Sequence, residues 1–250
     1  MGKELKHLIS NSGIEATLSF TIASSVECSS DWVKSESGTD WIIREQGLVC
    51  EVSLQNRGSY CTYILRVTNT GQLPIDIYHL KLGPEKVVWE SGLSAPHALY
   101  ALHPRVTGVS DYDADEVLGL PPLAPLPMND WHELSERCPE LPHLEALVLT
   151  DGWDSPAFIE GPLTQNHAHQ RKKIRWTGAN EIQMDCVHRF IGIESRCLTE
   201  GESLSESGFI QFRPDGDLNH ALRDYLEALA QSTGTRGDLN PLINERFFCT

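Results

Sequence analysis

The chain has 250 residues, enough for one large all-β domain or two ordinary ones with a full core. Hydrophobic residues make up 40% and charged residues 22%, the proportions of a folded soluble protein. A net charge of -15 argues against nucleic acid or anionic lipid as partners, and no apolar run approaches a membrane span. The opening MGKELKHLISNSG lacks the apolar core of a signal peptide, so the cytoplasm is the expected location.

In chain order, Ile14–Ile22 alternates without error. Ile14, Ala16, Leu18, Phe20 and Ile22 share one face, and Glu15, Thr17, Ser19 and Thr21 the other, as a half-buried strand requires. Leu48–Leu54 repeats the pattern through Leu48, Cys50, Val52 and Leu54. Asn56-Arg57-Gly58 is turn chemistry, and Tyr60–Val67 returns with Cys61, Tyr63, Leu65 and Val67 inward. Asn69-Thr70-Gly71 turns again into Leu73–Leu82, where the apolar phase shifts between Ile77 and Tyr78, the mark of a bulge or bend. The first third therefore reads as an antiparallel meander.

Val87–Pro127 reads as a long surface excursion, too proline-rich over Val117–Pro127 for a central strand or a helix. Trp131–Arg137 suggests a turn or two of helix. Strands resume at Leu144–Leu149, Ile174–Trp176, Ile182–Ile193 and Phe209–Phe212, with Met184, Cys186 and Phe190 alternating along the longest of them. Pro214-Asp215-Gly216 is a turn, and Asp217 stands at an N-cap position. Leu218, Leu222, Tyr225, Leu226 and Leu229 follow at helical spacing. After a polar stretch, Ile243–Cys249 reads as one more strand. The expected fold is mainly β: an antiparallel β-sandwich with one C-terminal amphipathic helix. Its expected division is a sandwich over 1–213, helix and linker over 214–239, and the start of a second folding unit over 240–250.

Seven cysteines, with no C-x-x-C pair, support neither a zinc site nor a redox motif; Cys50, Cys61 and Cys186 fall in apolar strand patterns as buried thiols. Asp111, Asp113 and Asp115 open like a calcium loop, but Glu116 and Pro122 occupy the positions that need glycine and glutamate, so a solvated acidic loop is expected. His167 and His169 have no third ligand at a sensible spacing and stand beside Arg171, Lys172 and Lys173. No metal and no cofactor is expected. The chain contains no G-x-S-x-G, G-x-G-x-x-G, Walker or H-E-x-x-H motif, and self-contained catalysis is not expected.

The remaining signal is aromatic. Asp151-Gly152-Trp153-Asp154-Ser155 sets a tryptophan between two carboxylates in a tight turn at a strand end. Sugars offer a C–H face to an indole and hydroxyls to carboxylates, so Trp153, Asp154 and Asp151 are the candidate saccharide contacts. The alternative is a core tryptophan beside a turn, which is also the reading for Trp32, Trp41 and Trp89.

The order of these features, a sandwich with a D-G-W-x-S turn, a closing strand, the helix HALRDYLEALAQ and the terminal FFCT, resembles the N-terminal domain of melibiase-type α-galactosidases, glycoside hydrolase family 36 and its relatives. The resemblance covers Leu144 to Thr250. It departs from the family pattern at Pro156, where the family often has tryptophan. It implies a supersandwich of the galactose-mutarotase-like kind preceding a (β/α)8 barrel, with Phe247-Phe248-Cys249-Thr250 as the front of the barrel's first strand. It implies retaining glycoside hydrolysis, whose two carboxylates stand about 5–5.5 Å apart and belong to later barrel strands. The chain itself would then hold no catalytic residue. Its partners would be a galactoside or related saccharide and the downstream barrel, with a homo-oligomer also open. The rival reading is a free-standing carbohydrate-binding β-sandwich module, and a third is a purely structural or oligomerisation domain.

Overall fold

The computed structural model describes residues 3–11, 13–36, 40–90, 98–102, 130–133, 146–150, 155–164, 168–178, 180–190 and 193–232. Two antiparallel sheets face each other across one apolar layer, and one helix lies on the outer face of the second sheet. This is the expected mainly-β sandwich with a C-terminal amphipathic helix. No helix among the described residues is long and apolar enough to cross a membrane.

The first sheet holds β1 (Leu5–Asn11), β2 (Ile14–Ser24), β7 (Ile75–Trp89), β13 (Glu181–Phe190), β12 (Ala168–Gly178) and β9 (His132–Glu133) in that spatial order, with β14 (Arg196–Leu198) also paired to β7. The second runs β3 (Val33–Lys34), β4 (Asp40–Glu45), β5 (Leu48–Asn56), β6 (Tyr60–Asn69), β15 (Ser203–Arg213), β11 (Ala157–Pro162), β10 (Ala146–Thr150) and β8 (Ala98–Leu102). Of the expected meander, β5 and β6 do pair as antiparallel neighbours. However, β6 and β7 lie in different sheets, so Asn69-Thr70-Gly71 carries the chain across the sandwich instead of back along one sheet, and β4 adds to β5 a strand not expected from the sequence. The turns after β5 and after β6 close through side chains, with the amides of Gly58 and Gly71 each donating to the Asn two residues earlier, Asn56 and Asn69, at 2.9 Å.

The phase shift in β7 is a bulge. Ser24 faces Ile77 and Ala23 faces His79, so Tyr78 has no opposite residue and is 45% exposed. Below it Ile75 and Ile77 point inward, and above it Leu80 and Leu82 do. The alternating residues of β2, β7 and β13 meet those of β5 and β6 between the sheets, where Phe20 and Tyr63 contact edge to face.

Four further expectations need correction. Val87–Trp89 belongs to β7, and residues 98–102 form a strand paired with β10, so the segment from Val87 is not wholly a surface excursion. Within the expected helical stretch Trp131–Arg137, His132 and Glu133 instead pair with Ile174 and Lys173 of β12 as a short edge strand, and residues 134–137 lie outside the described residues. Strand β13 ends at Phe190, and Ile193 is 53% exposed. Trp89 is buried in the core as expected, whereas Trp32 and Trp41 only pack against its margin. The acidic segment around Asp111, residue His167, the linker after Ser232 and the stretch 240–250 lie outside the described residues, and of His169 only the backbone is described.

The helix, α1 (Leu218–Ser232), begins as its sequence dictates. Asp217 Oδ1 accepts from the His220 amide at 3.0 Å, and the Asp217 carbonyl accepts from Ala221. Among the described side chains the buried line is Leu218, Ala221, Asp224, Tyr225 and Ala228, with Leu226 and Leu229 half-buried; the Leu222 side chain lies outside the described residues. Two alanines let the helix lie close over Val148, Ile159 and Phe209 of the sheet, and the Tyr225 hydroxyl donates to the Pro162 carbonyl at 2.8 Å.

Candidate functional site

Asp151, Trp153 and Asp154 lie outside the described residues. The strands on either side of them are described. Thr150 pairs with Ala157, and Ala157 in turn with Arg213, so the β10–β11 hairpin ends beside Arg213. Tyr60, at the start of β6, pairs with Gln211 two residues away, and α1 starts just beyond Arg213. The 151–154 connection therefore joins strands at the end of the second sheet that also carries the β5–β6 turn and the helix N-terminus. That end is polar. Arg213 reaches Asp215 at 2.8 Å, and Asp224 Oδ2 accepts from Gln211 at 2.6 Å and Ser59 at 2.9 Å.

The structure also brings together a group that sequence reasoning missed, a polar row between the two sheets. Glu160 on β11 and Glu206 on β15 point inward from the second sheet, and Lys172 on β12 and His188 on β13 point inward from the first; all four are buried. Lys172 Nζ stands 2.5 Å from Glu160 Oε2. Glu160 Oε1 accepts from Gln170 Nε2 at 3.1 Å and is faced by the Tyr63 hydroxyl at 3.4 Å. Glu206 Oε2 accepts from Thr164 Oγ1 at 3.1 Å and lies 3.6 Å from His188 Nδ1.

Glycine makes this row possible. Tyr63 lies directly opposite Gly208 on β15, and a Cβ on that glycine would sit 2.3 Å from the tyrosine oxygen. Only a residue without a side chain lets the phenol cross β15 to reach Glu160 on the strand beyond. Burial, followed by the Glu160 charge, pushes the Tyr63 hydroxyl well above its ordinary range, and the same two causes raise the neighbouring Cys186 thiol. Tyr63 therefore stays protonated and donates, and Cys186 is an inert apolar filler.

Signals for the row exist in the sequence. Extending the inward face of β13 one step past Cys186 reaches His188, and extending β12 back from Ile174 reaches Lys172 and Gln170. Charged residues at inward positions mask the period on which strand recognition depends. Among the described residues, the buried carboxylates Glu160, Glu206 and Asp224 are all engaged internally, and no group of three or more His, Cys, Asp or Glu has the makings of a metal site.

No protein-family model matches the chain, and no curated protein matches its sequence. Solved structures do match. The galactosidase domain of the alpha-galactosidase-sucrose kinase AgaSK shares 11% identity over 91% of this chain and 27% of its own length, with a TM-score of 0.42. The alpha-galactosidase from Lactobacillus brevis shares 9% over 92% of this chain and 28% of its own, at 0.46. GH36 alpha-galactosidase AgaB from Geobacillus stearothermophilus shares 10% over 87% and 29%, at 0.42. The structure of this chain is similar to parts of theirs. It spans 27–29% of their lengths.

Proposed function

We propose that this chain is the N-terminal, non-catalytic sandwich module of an α-galactosidase-like glycoside hydrolase, and that Trp153, Asp154 and Asp151 help line the sugar entrance of a catalytic barrel beginning near residue 240. The observation that carries the reading is the placement of the D-G-W-D-S segment. It connects β10 and β11 at the polar sheet end that also carries the β5–β6 turn and the start of α1, where side chains of Arg213, Asp215, Gln211 and Asp224 gather. From there α1 runs back along the sheet until the Ser232 hydroxyl donates to the Leu163 carbonyl at 2.8 Å, beyond the far end of β11.

The chemistry of the segment supports a saccharide ligand, with an indole for the apolar sugar face and carboxylates for its hydroxyls. The acid and nucleophile of retaining hydrolysis would be supplied by the barrel. The fixed internal roles of Glu160, Glu206 and Asp224 are consistent with a sandwich that shapes a site without performing the reaction.

The test has two arms. The coding frame is read past Thr250, and hydrolysis of p-nitrophenyl α-galactoside is assayed for the continuous product and for the 250 residues alone. The reading requires a downstream barrel sequence and activity only in the longer product. Hydrolysis by the 250 residues alone, or a frame that stops there, overturns it. A frame that stops together with galactose-dependent fluorescence that vanishes in Trp153→Ala would instead identify a free-standing sugar-binding module.

A further inference from the structure

The contact between Lys172 and Glu160 is not arranged as an ordinary buried ion pair. Both side chains are cut off from solvent, and Nζ and Oε2 are 2.5 Å apart. Yet among the described residues neither atom has a partner in hydrogen-bond geometry, although the two are in contact. The other carboxylate oxygen is treated differently: Oε1 takes the Gln170 amide at 3.1 Å and faces the Tyr63 hydroxyl at 3.4 Å. One oxygen is thus held by donors while its twin meets only the amine.

That asymmetry matches the needs of acyl transfer. Donors aimed at one oxygen stabilise the negative charge it takes up when a nucleophile adds to the carboxyl carbon. The twin oxygen is free to leave. An amine held against the carboxyl by two packed sheets has the pre-organised approach that makes an intramolecular reaction fast. An amide would also remove two opposite charges from a dry interior, where burying them is expensive.

We propose that Lys172 and Glu160 form an intramolecular amide cross-link between the two sheets. Lys172 Nζ bonds to the Glu160 carboxyl carbon, and the bond from that carbon to Oε2 breaks. Oε2 departs as water with two of the three ammonium hydrogens, so that an ammonium and a carboxylate become one neutral amide and one water. Oε1 becomes the amide carbonyl, still held by Gln170 and Tyr63. No oxidant or co-reactant enters the step.

Mass spectrometry of the purified chain tests it. The intact protein should weigh less than its sequence by one water molecule. A proteolytic digest should contain a branched peptide joining the Glu160 and Lys172 segments. Because Asp-Gly pairs such as Asp215-Gly216 also lose water on ageing, the Lys172→Met variant is measured in parallel; its mass should return to the full sequence value. The full sequence mass in the wild-type chain, or a water loss that maps elsewhere and survives Lys172→Met, overturns the proposal. The wild-type measurement decides the matter even if the variant does not fold.

Discussion

The layer between the sheets has two halves built on opposite principles. Where β2 meets β5 and β6, the inward positions are Ile14, Ala16, Leu18, Phe20 and Ile22 against Leu48, Cys50, Val52 and Leu65, an apolar core held by area and fit. Where β12 and β13 meet β11 and β15, the same layer holds Lys172, Gln170 and His188 against Glu160 and Glu206. An apolar core degrades by increments as volume is lost. A buried polar row behaves differently: its members face one another away from water, and removing one leaves its neighbour's charge or polar atom with nothing opposite it. The account therefore expects tolerance in the first half and steep losses in the second.

The largest expected effect follows from breaking the pair. Lys172→Met removes the tie between the sheets and leaves the Glu160 carboxylate buried with nothing to offset it, and should cost about 3–5 kcal/mol in urea denaturation. Adding Glu160→Leu should recover the share due to the stranded carboxylate; a single variant within experimental error of wild type would erase the distinction between the halves. Next comes Gly208→Ala. Its Cβ would overlap the Tyr63 ring and oxygen at 2.3–2.6 Å. Loss of about 3 kcal/mol is expected. Gly178→Ala, whose Cβ meets nothing within 4 Å, is the matched control and should change little.

Leu65→Met, in the apolar half, conserves volume and should cost less than about 1.5 kcal/mol by thermal unfolding. A loss matching that of Lys172→Met would show the halves to be alike. The smallest effect lies on the outer face of the first sheet, where Lys86 and Glu181 pair at 2.6 Å. Hydrogen bonds from Lys86 and then Thr177 hold the Glu181 carboxyl below its ordinary range. A depressed folded-state value means the stabilisation is present above the ordinary carboxylate range and is lost as pH falls through the depressed value. Glu181→Gln should flatten the acid limb of the stability profile by about 0.5 kcal/mol.

The same contrast explains what could be read from the residues alone. Strands β2, β5 and β6 show unbroken apolar alternation, and even the bulge at Tyr78 is visible as a change of phase. Strands β11 and β12 were missed or truncated because Glu160, Gln170 and Lys172 sit where the period demands an apolar residue. Their burial depends on partners far away in sequence, information that no local window contains. The helix was legible through its cap and spacing, but its buried line is set by the sheet beneath it. There Asp224 is drawn inward by Gln211 and Ser59, and Ala221 and Ala228 permit close approach. The proposed sugar contacts were read from residue chemistry in one turn, and the sheets add only where that turn is attached.

That attachment defines the most direct measurement of the functional account. Galactoside hydrolysis by the continuous product of the reading frame should be compared with that of its Trp153→Ala variant. A tryptophan lining the entrance predicts a raised KM with kcat little changed. An unchanged KM would contradict the placement of Trp153 at the sugar site.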